Sequence, residues 1–305
     1  MPVAVRLFFL VLSFLGAHAE AVAQSVPALK CVTFNMLHGG VFSGLKGNAQ
    51  DLDRRLAMAA KELHALGADI IGIQEASTGW SRRNVVERLV AQLGFHHVYA
   101  PASFRLFGSE WINTFISWVM NFTEGPAIIS RFPIVASEAH DLPRCGRFTD
   151  PRVLLYVELR TPWGLVPVSS THISRDACPE QAKSIVDFLY ERRGSLPMLL
   201  MGDFNAIEDS PPIAVLTQAG FVDTFRVANP TAPGLTVWQR VTIPYPTVSR
   251  RVDYLFLLPG KDFGGRVLSS RVVLNSPQHF PDGTMLWPSD HYGVLTEMEM
   301  VPPSP

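Results

Sequence analysis

Cysteine is scarce in this chain, with three in 305 residues, which excludes a small scaffold built on disulfides. Charge is sparse as well, at 17 %, and it is balanced: 26 Lys and Arg face 27 Asp and Glu, a formal net of −1. Such a chain has no overall field with which to grip nucleic acid, so only a local basic patch could serve that role. There is no internal repeat and no linker rich in Gly or Ser. An uninterrupted apolar run of about 20 residues, the length that spans a bilayer, is also missing. What the chain does have is 47 % hydrophobic residues, enough to exclude wholesale disorder and to bury a substantial core.

The first two dozen residues read as a targeting segment. Arg6 supplies a positive start, residues 7–15 are apolar except for Ser13, and Ala17-His18-Ala19 and Ala21-Val22-Ala23 both offer small-residue cleavage sites. The expectation is a secretory signal peptide over 1–23 and an exported protein, periplasmic or secreted. An uncleaved anchor is the alternative. One domain is expected over 24–300, followed by a frayed Pro-rich tail at 301–305.

Apolar runs predict strands over 29–35, 70–74, 96–100, 127–130, 153–159, 166–172, 198–203, 252–257, 271–274 and 294–298. Helical spacing predicts helices over 51–66, 84–93, 179–192 and 213–219, with Gly67, Gly94 and Gly194 placed as C-terminal caps. The mixture predicts an α/β fold of two packed sheets flanked by helices. Cys31 falls in an apolar strand. Cys145 precedes the strand at 153–159 and Cys178 follows the one at 166–172; if these form a hairpin, both cysteines leave it at one end, and a Cys145–Cys178 disulfide is expected.

Polar, acidic and histidine side chains recur at the ends of apolar runs. Asn35 ends CVTFN, Glu75 ends DIIGIQE and His172 closes SSTH. Asp203 and Asn205 lie in GDFN, Asp253 in RVDYLFL, and Asp290 and His291 in SDHYGV. Strand ends at one edge of a sheet converge, so these groups can meet in a cleft. Oxygen ligands such as Glu75 and Asn35 suit a hard cation, Mg²⁺ first, with Mn²⁺ or Ca²⁺ as alternatives. A histidine beside a carboxylate can take a proton from water near neutral pH.

The blocks TFNMLHGG, IIGIQEAS, GPAIISRFPI, SSTHISRD, LLMGDFNA, RRVDYLFL and SDHYGV run in order across nearly all of the chain after residue 23. Together they resemble the endonuclease/exonuclease/phosphatase superfamily, which includes DNase I-like nucleases, exonuclease III-like repair enzymes, sphingomyelinases and inositol-phosphate phosphatases. The resemblance implies a four-layered α/β sandwich, its two mainly antiparallel sheets packed face to face between helices. It implies Glu75 as principal metal ligand, assisted by Asn35, with Asp290 against the metal shell. His291 would be the general base oriented by Asp253. Asp203 would position the attacking water, Asn205 would support the phosphorus, and His172 would serve the phosphate or the leaving group. Met36 and Leu37 follow Asn35 where many nuclease members carry a further polar residue, which puts a second metal position in doubt.

Other residues have competing readings. Arg147 and Arg152 enter the expected hairpin near its active-site end and could bind substrate phosphate or form surface ion pairs. Arg250-Arg251 could also reach a phosphate. Glu124 could partner His172 or sit in a solvated loop, and Asp223 reads first as a turn residue. His38 and Arg175 flank catalytic blocks. Residues 104–124 (FRLFGSEWINTFISWVMNFTE) form, on a helix, a narrow polar stripe of Asn113, Ser117, Asn121 and Glu124 in an otherwise apolar surface. Such a helix is either core or enters a membrane surface, with Trp111, Phe115, Trp118 and Phe122 as contacts. Arg105 is its single basic residue, which favours a neutral lipid headgroup over an anionic one.

The expected substrate is accordingly a phospholipid or other small phosphodiester. A nuclease is the runner-up, a phosphomonoesterase third, and a catalytically dead binding module last. No feature points to an obligate protein partner.

Overall fold

The computed structural model describes residues 28–37, 49–79, 83–102, 111–112, 123–145, 151–175 and 178–301. The expected signal peptide and residues 302–305 of the expected tail lie outside them. In chain order the strands are β1 (Leu29–Asn35), β2 (Ile70–Thr78), β3 (His96–Tyr99), β4 (Thr123–Ser130), β5 (Ile134–Asp141), β6 (Val153–Thr161), β7 (Gly164–His172), β8 (Met198–Asp203), β9 (Val222–Asp223), β10 (Asp253–Leu258), β11 (Gly264–Val273), β12 (Gln278–His279), β13 (Met285–Leu286) and β14 (Gly293–Val301). The helices are α1 (Leu52–Leu66), α2 (Val85–Leu93), α3 (Pro179–Glu191), α4 (Pro211–Gln218) and the short α5 (Thr224–Ala228).

Two six-stranded sheets form, ordered β11-β14-β1-β2-β4-β3 and β5-β6-β7-β8-β10-β9. Pairing is antiparallel apart from β1–β2 and β7–β8. Both faces of the central strands are buried, which is why they read as nearly continuous apolar runs. In β1, Leu29 and Cys31 pack between the sheets with Val168, Leu199, Met201 and Leu255, while Val32 and Phe34 turn outward under α1 and α2. In β10, Leu255 and Leu257 point inward and Tyr254 and Phe256 point outward under α3 and α4. The result is the expected four-layered sandwich.

Local signals set the helix ends. Asn84 caps α2 by accepting from the amides of Val86 and Glu87. Gly67 and Gly94 close α1 and α2 with φ of 63° and 71°, a left-handed conformation that glycine adopts at little cost. Gly194 does not cap α3, which ends at Glu191 with Arg192 in the cap. Cys145 and Cys178 are disulfide-bonded, their Cα atoms 5.9 Å apart, and Cys31 is a buried free thiol. The β6–β7 hairpin does bring the two cysteines to one end. Strand β5 escapes the sequence pattern because it is an edge strand with mostly exposed residues. Val301, expected in the tail, still pairs with Gly264.

Candidate active site

The inward-facing positions that carry Val168, Leu199, Met201 and Leu255 become polar at one edge of the sandwich. Alternation along β1 puts Asn35 on the same face as Leu29 and Cys31, and along β8 it puts Asp203 on the face of Leu199 and Met201. Register then sets neighbours side by side: His172 lies opposite Asp203, and Asp203 opposite Asp253. Asn35 Nδ2 donates to Asp203 Oδ2 across the gap between the sheets at 3.0 Å. Gln74 Nε2 donates to Ser170 Oγ, and Ser170 Oγ donates to the Ile73 carbonyl, which fixes the sheets together just below.

Glu75 reaches the site through a break in that alternation. It is not a strand end, because β2 continues to Thr78. Ile73 pairs with Ala127 and Ala76 with Gly125, so Gln74 and Glu75 together oppose one residue of β4. This bulge, with Glu75 at φ 55°, hands the outward core position to Ala76. The carboxylate is thereby released from the helix-covered face to lie 3.2 Å from Asn35 Nδ2. A second left-handed residue, Asn205 at φ 46°, re-aims the chain after β8. Its amide donates to Asp203 Oδ1 at 2.8 Å, and its Nδ2 lies 2.9 Å from the Ile173 carbonyl and 2.8 Å from His172 Nε2.

Asp203 is the hub. Its Oδ2 lies 3.3 Å from His172 Nε2 and 3.7 Å from His291 Nε2. His291 Nδ1 sits 3.2 and 3.0 Å from the two Asp253 oxygens, leaving Nε2 to face the hub. Ser289 Oγ donates to Asp290 Oδ1 and accepts from the His291 amide, which sets the SDH turn.

Burial pushes the Asp203 carboxyl up to about 7, against the pull of His291 and the hydrogen bonds from Asn205 and Asn35. Burial alone would lower the His291 imidazolium, but Asp253 and Asp203 outweigh it and raise the group to about 10. Asp290 is also raised, by burial and by the neighbouring Glu75, with His291, Ser289 and Arg55 opposing. The carboxylates of Glu75 and Asp290 thus gather oxygen donors at this edge, the donor chemistry a hard divalent cation takes, while Asn35 turns Nδ2 to Glu75 and Asp203 and Oδ1 to the Leu37 amide. Asp203, Asp253 and His291 form a second, buried group whose donor atoms lie within 4.8 Å of one another.

Asn35, Glu75, His172, Asp203, Asn205, Asp253, Asp290 and His291 are therefore all placed at this edge. Arg152 lines a pocket with Glu75 and His172, and its Nη1 lies 4.0 Å from Glu124, which belongs to β4 and not to a solvated loop. Arg251 does not point to a phosphate: it pairs with Asp223 at 2.7 Å and Glu208 at 3.0 Å. Asp223 caps α5. Arg175 is exposed, and Trp111 is 71 % exposed. Arg147, His38, Phe115, Trp118 and Phe122 lie outside the described residues. Sequence reading missed Gln74, Ser289 and Arg55 as supports of the site. Arg55 carried a signal, since it falls three residues after Leu52 inside the apolar stripe of α1.

The endonuclease/exonuclease/phosphatase family model matches residues 32–291. No curated protein matches the chain. Solved structures do. An endonuclease/exonuclease/phosphatase family protein from Leptotrichia buccalis is similar at 18 % identity and TM-score 0.66, over 89 % of this chain and 100 % of that one. A mannosyl-6-phosphatase from Bacteroides thetaiotaomicron gives 17 % and 0.65, over 89 % and 99 %. The human Nocturnin catalytic domain with bound sulfate gives 18 % and 0.63, over 90 % and 94 %. At these identities the likeness carries the fold, and the match over residues 32–291 carries the family: this chain belongs to the endonuclease/exonuclease/phosphatase family.

Proposed function

We propose that this protein is an exported, divalent-metal-dependent phosphodiesterase that hydrolyses a phospholipid or other small phosphodiester. The observation that carries the chemistry is the meeting of both sheets' inward-facing ends on Asp203, with the Asp253–His291 pair on one side and Asn35 and Glu75 on the other. Glu75 and Asp290 would hold the cation, Mg²⁺ or its substitutes Mn²⁺ and Ca²⁺, and Asn35 would assist by steadying the Glu75 carboxylate through Nδ2. When bound, the cation would polarise a phosphoryl oxygen, offset gathering negative charge and favour the neutral form of His291.

His291 Nε2, its ring held by Asp253, takes the proton of the attacking water, and Asp203 orients that water. The water oxygen forms the new P–O bond opposite the ester oxygen, whose bond to phosphorus breaks. His172 supplies a proton to the departing oxygen, and the Asn205 amide supports the phosphoryl oxygens as charge builds. The products are a phosphomonoester and an alcohol. Arg152, with Arg147, binds substrate phosphate.

The lipid preference is supported by the balanced charge, by the apolar segment 104–124 with Trp111 exposed, and by the near absence of basic residues there. Export is supported by the leader-like residues 1–23 and by the disulfide, a bond that persists in oxidising compartments. A nuclease reading has its own observation. Trp238 and Tyr245 are 51 % and 61 % exposed on the segment that also carries exposed Arg250, and Val237 in that segment bridges to His291. Aromatic faces beside arginines suit unpaired bases.

The test offers the protein Mg²⁺ with neutral phospholipid liposomes, plasmid DNA and a sugar monophosphate side by side. Headgroup release supports the proposal. Plasmid nicking with inert liposomes establishes the nuclease, and phosphate release from the sugar alone establishes a phosphomonoesterase. No turnover with any of the three overturns the enzyme reading.

A further inference from the structure

Helix α1 should bury only apolar side chains on its inner stripe, and Leu52, Leu56, Ala59 and Leu63 comply. Arg55 lies in the same stripe and is 1 % exposed. A guanidinium without water must have its donors met. Four hydrogen bonds of Arg55 reach main-chain carbonyls drawn from three stretches of chain. Nε donates to Gln50 at 2.8 Å at the start of α1. Nη1 donates to Met36 at 2.9 Å and to Pro288 at 3.2 Å, and Nη2 to Leu37 at 3.1 Å.

Met36 and Leu37 are the two residues after Asn35, and Pro288 lies two before Asp290. The Leu37 amide also donates to Asn35 Oδ1 at 3.1 Å, and Leu37 itself is held at φ 55°. One planar fork therefore fastens the exit of β1 to the turn that leads into β14. Glu62, seven residues along the helix, instead accepts from the Leu274 amide, away from both segments.

We infer that Arg55 is a positioning residue for the cation site, holding the Asn35 and Asp290 segments at the separation that divalent metal binding needs. The inference rests on the metal-dependent reading above. Lysine would keep the charge but present a single ammonium, which cannot reach carbonyls on both segments with a fixed planar geometry. Removing the charge outright would confound the test, because losing a cation near Glu75 and Asp290 strengthens the pull on Mg²⁺. Arg55→Lys is therefore the informative variant.

Mg²⁺ binding is measured by calorimetry on wild type, Arg55→Lys and Glu62→Gln, together with the melting temperature of each with and without Mg²⁺. The Mg²⁺ dissociation constant should rise about tenfold or more in Arg55→Lys, as for lost supports of metal ligands. Its melting temperature should also gain less from Mg²⁺ than that of wild type. Glu62→Gln, which loosens α1 at a distance, should melt earlier yet bind Mg²⁺ as wild type does. An Arg55→Lys protein that melts earlier but binds Mg²⁺ unchanged would make Arg55 a structural residue only and overturn the inference. A wild type with no saturable Mg²⁺ binding would instead bring down the metal-dependent reading itself. Should Arg55→Lys fail to fold, Arg55→Gln and Arg55→Met, which lose the same charge, replace it. Arg55→Gln keeps polar donors for the two segments and should bind Mg²⁺ more tightly than Arg55→Met, and equal affinities in the two variants would overturn the inference.

Discussion

Asp203 concentrates the electrostatic tension of the site. It is buried, it contacts Asn35, His172 and His291, and its neighbour Asp253 adds a second carboxylate. Both shifted groups make the metal-free fold bind protons more tightly than the unfolded chain does. Asp203 rises from 3.8 to about 7, so the fold loses stability as pH climbs through that interval. His291 rises from 6.5 to about 10; its contribution is complete below 6.5 and is lost as pH rises toward 10. The metal-free protein should therefore melt at progressively lower temperature from about pH 5 to pH 9, and Asp203→Asn should flatten the lower half of that decline. A melting temperature that climbs over the same range would contradict this reading of the cluster.

At this scale the sequence was informative wherever a side chain sits in a distinctive block. GDFN and SDH mark Asp203, Asn205, Asp290 and His291 directly. It was uninformative for Gln74 and Ser289, whose roles depend on which face they take, and for Arg251, which its neighbour Arg250 made look like a free basic pair.

Among the elements, β2 and β8 decide the most. The β2 bulge was invisible in IIGIQEAS because nothing in the residue types distinguishes a strand that stops at Glu75 from one that skips a pairing and continues. Only the β4 register reveals it. In β8 the glycine of GDFN is fixed by packing. A Cβ on Gly202 would come within 2.6 Å of the Thr171 carbonyl in the neighbouring parallel strand, where backbone has little room to move. Gly202→Ala should cost about 1–3 kcal/mol in urea unfolding and displace His172 from Asp203, lowering turnover as well. Wild-type stability and rate in that variant would show that the strands tolerate spreading. The helices were legible because their apolar spacing and caps agree, as Asn84 and Gly94 do for α2. Strand β5 was not, because an exposed edge strand needs no apolar run.

For the molecule as a whole, the sequence blocks made the sandwich legible, and the disulfide followed from hairpin geometry. Cys145 and Cys178 are 33 residues apart. Closing a loop of that size stabilises a fold by about 3–4 kcal/mol in the chain-entropy account, tying the entrance of β6 to the start of α3. Reduction with dithiothreitol should lower the urea midpoint accordingly, and the Cys145→Ser protein should show no further response to reductant. An unchanged midpoint in the wild type would mean the bond adds nothing to the fold.

In the proposed mechanism His291, held by Asp253 and facing Asp203, drives hydrolysis of a phosphate ester at this edge of the sandwich. The most direct measurement is release of nitrophenol from a nitrophenyl phosphodiester in Mg²⁺, by wild type and by His291→Ala, with circular dichroism confirming that both are folded. Wild type should turn over in an Mg²⁺-dependent way and the variant should lose at least about a hundredfold, the size expected for removing a general base. Equal rates in two folded proteins would contradict the mechanism.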